Sequence, residues 1–135
     1  MKRKKKEPIR CIAYLSAEDE PFRIATSENK QLRYMYEYAK AHNLKISKVL
    51  RRNGMSQEVV NRHWKKMIAS ITKDEAEGIF LVNMQAVSLS VADAYLKVGQ
   101  VSEAGGVVIT VDEGQLGMPI RRMIEGRMVL VNERI

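Results

Sequence analysis

The sequence predicts a three-layer α/β domain, a short and mostly parallel sheet with helices on both faces. Three observations predict it. Apolar runs of strand length alternate with stretches whose apolar residues recur at helical spacing, in the order strand, helix, strand, helix, strand, helix, strand. The first run, residues 10–15, is apolar on both of its faces, as a parallel strand covered by helices must be. The length, 135 residues, suits one domain around one core.

The first strand is read over 10–15 and is followed by a loop over 22–31. Thr26 or Ser27 is the candidate N-cap of the first helix, with Glu28 near its positive start. Leu32, Met35, Tyr36 and Ala39 form its expected inner face, and Asn43 its C-cap. The second strand, 44–50, points Leu44 and Ile46 inward, with Val49 a further candidate. Asn53-Gly54 marks a turn. The second helix then buries Val60, Trp64, Met67, Ile68 and Ile71. After a polar loop, Gly78 leads into a buried strand over 79–82. Ser88 or Ser90 caps the third helix, whose expected inner face is Val91, Ala94, Tyr95, Val98 and Val101. Gly105 and Gly106 end it. The fourth strand covers 107–111, and a turn follows over 112–119. Right-handed crossovers join the parallel strands. The last stretch allows a hairpin turning at Glu125-Gly126 or a helix. The hairpin is preferred, because residues 128–131 are β-like and Gly126 weakens a helix.

Charge divides the chain into a tail over 1–9 and a single domain over 10–135. Net charge is +7, and Lys2, Arg3, Lys4, Lys5 and Lys6 against Glu7 supply more than half of it. Such a tail repels itself and has nothing to bury, so disorder is expected. It serves either solubility or loose attachment to nucleic acid through Lys4, Lys5 and Lys6. No apolar run reaches the ~20 residues that span a membrane, and none follows the basic start as a signal peptide requires. Cys11 is the one cysteine, so no internal disulfide forms, and a cytoplasmic location is expected.

Few residues offer chemistry. His42 and His63 lie on different helices and, with one cysteine, make no metal-ligand spacing. His42 is read as a helix C-terminal residue, and His63 as lying beside Trp64 on an exposed or half-exposed face. Asp112-Glu113 is a weak Mg²⁺ signal and reads first as a solvated turn. No Gly-rich loop follows the first strand, and Gly105-Gly106 precedes a strand instead of opening a helix, which excludes a dinucleotide fingerprint. No metal or cofactor is therefore predicted. Arg51, Arg52, Arg62, Lys65 and Lys66 form a basic surface, either a solvated face or a contact for a DNA backbone or an acidic partner. Arg121, Arg122 and Arg127 add a smaller cluster.

The phrase from Ser27 to Ile46 resembles the first helix of serine recombinases, the resolvase/invertase family. Ser27, Gln31, Met35, Tyr38 and Ala39 match its Ser, Gln, hydrophobic and Tyr-Ala positions. Asn53 to Gln57 resembles the Asp-Gly-x-Ser-Gly loop, with Asn53 in place of the aspartate. Arg62 and Met67 match the Arg-Pro-x-x-x-x-Met/Leu helix, with His63 where proline is usual. Residues 78–84 sit at the central strand and 105–114 at the strand after the last crossover. The likeness runs from about Arg10 to Glu113, and the order and spacing of the matches carry it. It implies a resolvase-like fold and an origin in DNA recombination on a mobile element.

The resemblance fails where the family does chemistry. Aligned on Tyr14, the family's Tyr-x-Arg-Val-Ser puts Ser16 where an arginine belongs and Glu18 at the nucleophilic serine. Its Asp-Arg-Leu-x-Arg phrase falls on Gln85, Ala86, Val87, Ser88 and Leu89, which removes the aspartate and both arginines. Attack on a phosphodiester needs a nucleophile and cations to hold the growing charge. The site of an open parallel sheet lies beyond the strands' carboxyl ends. There the sequence places Ser16, Glu18, Asp19, Glu20, Asn83, Gln85, Ser88, Asp112 and Glu113, with no arginine or lysine, so the crevice should repel phosphate.

The expectation is thus a catalytically inactive recombinase-like module. Its partner would be a full-length recombinase, a second copy, or DNA held weakly by its backbone, and not a membrane. Met84, Val87 and Leu89 would form an apolar patch for self-association. Two alternatives stand beside it. One is a divergent strand-exchange enzyme using Ser16, with Arg23 or Arg51 folded in to assist. The other is a small nucleic-acid-binding protein working through its lysine tail.

Overall fold

Residues 7–117 are those the computed structural model describes, and among them five strands form one sheet. The elements are β1 (Ile9–Leu15), α1 (Ile24–Ala41), β2 (Leu44–Arg51), α2 (Gln57–Thr72), β3 (Gly78–Leu81), α3 (Val91–Glu103), β4 (Val107–Thr110) and β5 (Gly114–Leu116). Short 3₁₀ turns precede α1 at Pro21–Arg23 and α3 at Met84–Ala86. The strand order is β2-β1-β3-β4-β5. The first four strands pair in parallel, and β5 pairs antiparallel with β4. The mostly parallel α/β sheet expected from the sequence is present.

The alternation within β1 builds both cores. Cys11, Ala13 and Leu15 face α1 and pack with Met35, Ala39, Phe80 and Ile109. Ile12 and Tyr14 face α2 and α3 and pack with Val60, Trp64, Met67, Ile79 and Val101. A strand buried on both faces needs an uninterrupted apolar run, which is why β1 is legible. Burial also pushes the Cys11 thiol up to about 12, so it behaves as a small core residue. Between β1 and β2 the register slips by one residue at Ser47, whose hydroxyl donates to Cys11 O at 3.2 Å.

Several elements differ from expectation. The loop read over 22–31 is helical from Ile24, and neither Thr26 nor Ser27 caps it. Ser27 Oγ instead donates to Asp19 Oδ2 at 2.6 Å, and Glu28 lies buried within the helix. Tyr36 is exposed, not inward. Asn43 stands just past the C-cap His42 with a positive φ of 57°, a conformation asparagine tolerates. Asn53 and Gly54 both have positive φ, which explains the Asn-Gly pair at this turn. The stretch read as a turn after β4 contains β5. β1 takes in Ile9, which the sequence assigns to the tail. Lys4, Lys5 and Lys6, the hairpin at Glu125-Gly126 and the cluster Arg121, Arg122 and Arg127 lie outside the described residues.

The inner face of α3 is also corrected. Ser90 caps it, accepting from Asp93 N at 3.1 Å. Ala94, Val98 and Val101 pack inward as expected, but Val91 and Tyr95 are exposed and Lys97 is buried. Lys97 tolerates burial because Nζ donates to Asp93 Oδ2 at 2.8 Å, one turn away, while its stem covers apolar surface. That pairing holds the Asp93 carboxyl below the usual range.

Candidate functional site

The order β2-β1-β3 places a topological switch between the carboxyl ends of β1 and β3, where open α/β sheets bind ligands. Ser16 follows β1 there. The Met84–Ala86 turn follows β3, and Arg52 to Gln57 joins β2 to α2. In this chain these segments are tied to one another by hydrogen bonds.

Ser16 is 6% exposed and fully engaged. Its Oγ donates to Ala86 O at 2.7 Å. Its backbone is clamped by the Gln31 side chain, with Ser16 N donating to Oε1 at 3.0 Å and Nε2 donating to Ser16 O at 2.8 Å. A side-chain amide suits this double contact because its donor and its acceptor sit on two adjacent atoms. Gln57 closes the far side, where Nε2 donates to Val87 O at 2.8 Å.

The crevice does contain arginine, contrary to the sequence expectation. Arg52 Nη1 donates to Ser16 Oγ at 3.3 Å and to Ala86 O at 3.4 Å, and Nε donates to Met55 O at 2.7 Å. One planar fork thus joins three segments. Neither Arg23 nor Arg51, the candidates proposed to assist Ser16, makes this contact. Arg51 Nη1 lies 3.7 Å from Glu28 Oε1, and its Nη2 donates to Asn29 Oδ1 at 2.9 Å. Glu28 is fully buried, and its Oε2 accepts from Asn53 N at 2.9 Å, which pins the turn. Arg51 and Arg52 are thus half-buried and bonded within the fold, whereas Arg62, Lys65 and Lys66 are exposed. The last three lie along α2, outside its buried face.

The remaining degenerate positions hold no cation. Glu18, Gln85 and Leu89 are exposed, Ala86 contributes its carbonyl, and Asn53 its backbone N–H. Asp112 Oδ2 accepts from Asn83 Nδ2 at 2.9 Å, and Glu113 Oε1 accepts from Met84 N at 3.1 Å. The acidic pair fastens the loop after β3. No group of three or more His, Cys, Asp or Glu among the described residues is arranged to hold a metal ion. The predicted apolar patch is corrected too. Met84 and Val87 are buried, whereas Leu89 (74% exposed) joins Val91, Tyr95 and Leu96 as uncovered apolar side chains at α3.

Sequence reasoning missed one contact beside the crevice. Tyr14 Oη and His63 Nδ1 lie 2.6 Å apart, linking β1 to α2. Burial pushes the Tyr14 phenol up to about 12, so it stays protonated. His42, by contrast, stacks on Tyr38 with ring centroids 3.9 Å apart.

No protein-family model and no curated protein matches the chain. Solved structures do share its fold. A resolvase family site-specific recombinase from Streptococcus pneumoniae superposes with a TM-score of 0.65 at 17% identity, over 78% of this chain and 74% of that one. The N-terminal catalytic domain of TP901-1 integrase gives 0.62 at 18% identity, over 78% of each chain. The C-terminal catalytic domain of ISC1926 TnpA, an IS607-like serine recombinase, gives 0.56 at 15% identity, over 87% of this chain and 76% of that one. The resolvase-like fold implied by the sequence is thus present. No helix among the described residues is long and apolar enough to cross a membrane.

Proposed function

We propose that this chain is a serine-recombinase-like module that no longer cuts or joins DNA. It acts in the cytoplasm as an interaction or regulatory partner of an active recombinase of a mobile element. The observation that carries this reading is the state of Ser16: its hydroxyl is buried and donates to a carbonyl, and the guanidinium beside it is shared with that carbonyl. A nucleophile must be free to meet phosphorus, with several cations around the phosphoryl oxygens. Glu18, at the family's nucleophile position, is a carboxylate that repels phosphate. Incubating the full chain with supercoiled plasmid and trapping covalent protein–DNA bonds is expected to give no nicked, relaxed or covalent product. A product that disappears in Ser16→Ala would refute the proposal.

The exposed apolar side chains of Leu89, Val91, Tyr95 and Leu96 form the surface offered to the partner. A second reading keeps strand exchange at Ser16. The contact of Arg52 Nη1 with Ser16 Oγ favours it, and the same plasmid assay decides it.

Weak, backbone-only DNA contact is the third reading, supported by Arg62, Lys65 and Lys66 clustered on one helix. Removal of residues 1–6 and the triple change R62E/K65E/K66E separate the tail from the helix. If the helix is the agent, duplex binding falls at least about tenfold in the triple variant and loses salt dependence, while the tail deletion changes it little. The reverse pattern assigns binding to the lysine tail.

A further inference from the structure

We infer that Tyr14 and His63 form a proton-operated clasp between β1 and α2, closed while His63 is neutral and released when it takes up a proton. The geometry supplies both halves. Tyr14 is 1% exposed, and its Oη lies 2.6 Å from His63 Nδ1, with the rings edge-to-face at 5.4 Å between centroids. His63 is the one hydrogen-bond partner of that hydroxyl among the described residues. In the clasp the phenol donates, with Nδ1 unprotonated and the ring proton on Nε2, the arrangement that leaves the buried O–H satisfied.

Protonation at Nδ1 sets two donors against each other. The phenol oxygen would then have to accept, and its own O–H would be left in a buried site without an acceptor, which a fold tolerates poorly. The charged groups around the pair do not relieve this. Lys66 and Arg62 flank His63 on α2 and oppose a further positive charge. Arg52, from the loop after β2, and Glu28, on α1, act on Tyr14 in opposite directions. His63 is accordingly held below its ordinary value, first by burial and then by Lys66 and Arg62. A histidine depressed in the fold stabilises it above its unfolded value near 6.5, and that contribution is lost as pH falls toward the depressed value. Release also adds a positive charge beside Arg62, Lys65 and Lys66 on α2.

The test uses the full chain. Imidazole nitrogen spectra are expected to show His63 as the Nε2–H tautomer at about pH 7.5 and titrating below about 6.5. The melting temperature is expected to fall by several degrees between about pH 7.5 and pH 5. In His63→Gln, whose amide oxygen can accept from Tyr14 but does not titrate, that fall should shrink to the part due to other groups. In Tyr14→Phe, His63 should titrate higher than in the parent chain. A His63→Gln variant with the parent's pH dependence would overturn the clasp. So would a His63 titration that Tyr14→Phe leaves unmoved, or one at or above the ordinary value. If either variant fails to fold, the tautomer and titration of the parent chain still decide.

Discussion

Trp64→Ala is expected to remove about 3–5 kcal/mol of stability, a large fraction of the roughly 5–15 kcal/mol that holds a domain folded. Trp64 is 1% exposed, and its Nε1 donates to Lys97 O at 3.3 Å, so the indole fills the space between α2, α3 and the sheet. Truncation loses the apolar transfer term and leaves a cavity that a parallel sheet and two helices cannot collapse to fill. Trp64→Phe keeps much of the volume and forfeits mainly the hydrogen bond, worth about 1 kcal/mol. Urea unfolding followed by circular dichroism checks both, since the change removes the chain's single tryptophan and with it the fluorescence signal. An alanine variant within about 1 kcal/mol of the parent would mean that this core is not the one described.

Arg52→Met should lower stability by about 1.5–3 kcal/mol and, more tellingly, should loosen the crevice. Methionine keeps the aliphatic stem and removes the donors to Met55 O, Ser16 Oγ and Ala86 O. Amide exchange is expected to quicken in residues 52–57 and 84–89 while β1 and β3 stay protected. Arg52→Lys should recover only part of the effect, because the ammonium's three donors radiate from one nitrogen, whereas these acceptors are served from Nε and Nη1 of a planar fork. Unchanged exchange in both loops would show that the guanidinium is not what closes the site. The result bears on function directly. A crevice that opens without Arg52 is one the fold holds shut, which is what the proposed function expects of it.

The sequence carries the layers more faithfully than the site. β1 and α2 are legible because their apolar residues repeat at the period of the element, and nothing in the tertiary structure opposes that signal. α3 misleads because counting apolar residues ranks Val91 and Tyr95 above Lys97, whereas the fold buries the long stem of Lys97 and satisfies its charge with Asp93. β5 escapes notice because a three-residue strand has no period of its own and exists through its pairing with β4. Arg52 is assigned to the surface because charge alone argues for solvent. Besides the nearby Met55 O, its partners are Ser16, 36 residues away, and Ala86, 34 residues away, and no local pattern brings those together. Likewise the Tyr14–His63 contact spans 49 residues, and its only sequence trace is a histidine where the resembled family has proline.

The slip at Ser47 has a consequence for the two adjacent arginines. Before it, the even-numbered Leu44 and Ile46 look toward α1; after it, the odd-numbered Val49 does, and Leu50 turns to the opposite side. One inserted residue has reversed the parity of the strand's end. Arg51 is thereby handed to Glu28 and Asn29 of α1, and Arg52 to the hydroxyl of Ser16. Were Ser47 paired regularly with Ile12 instead of bulging out, every later residue would move one place along β1 and the two arginines would exchange sides, so the wiring of the strand mouths depends on one bulge in an edge strand, far from the groups it connects.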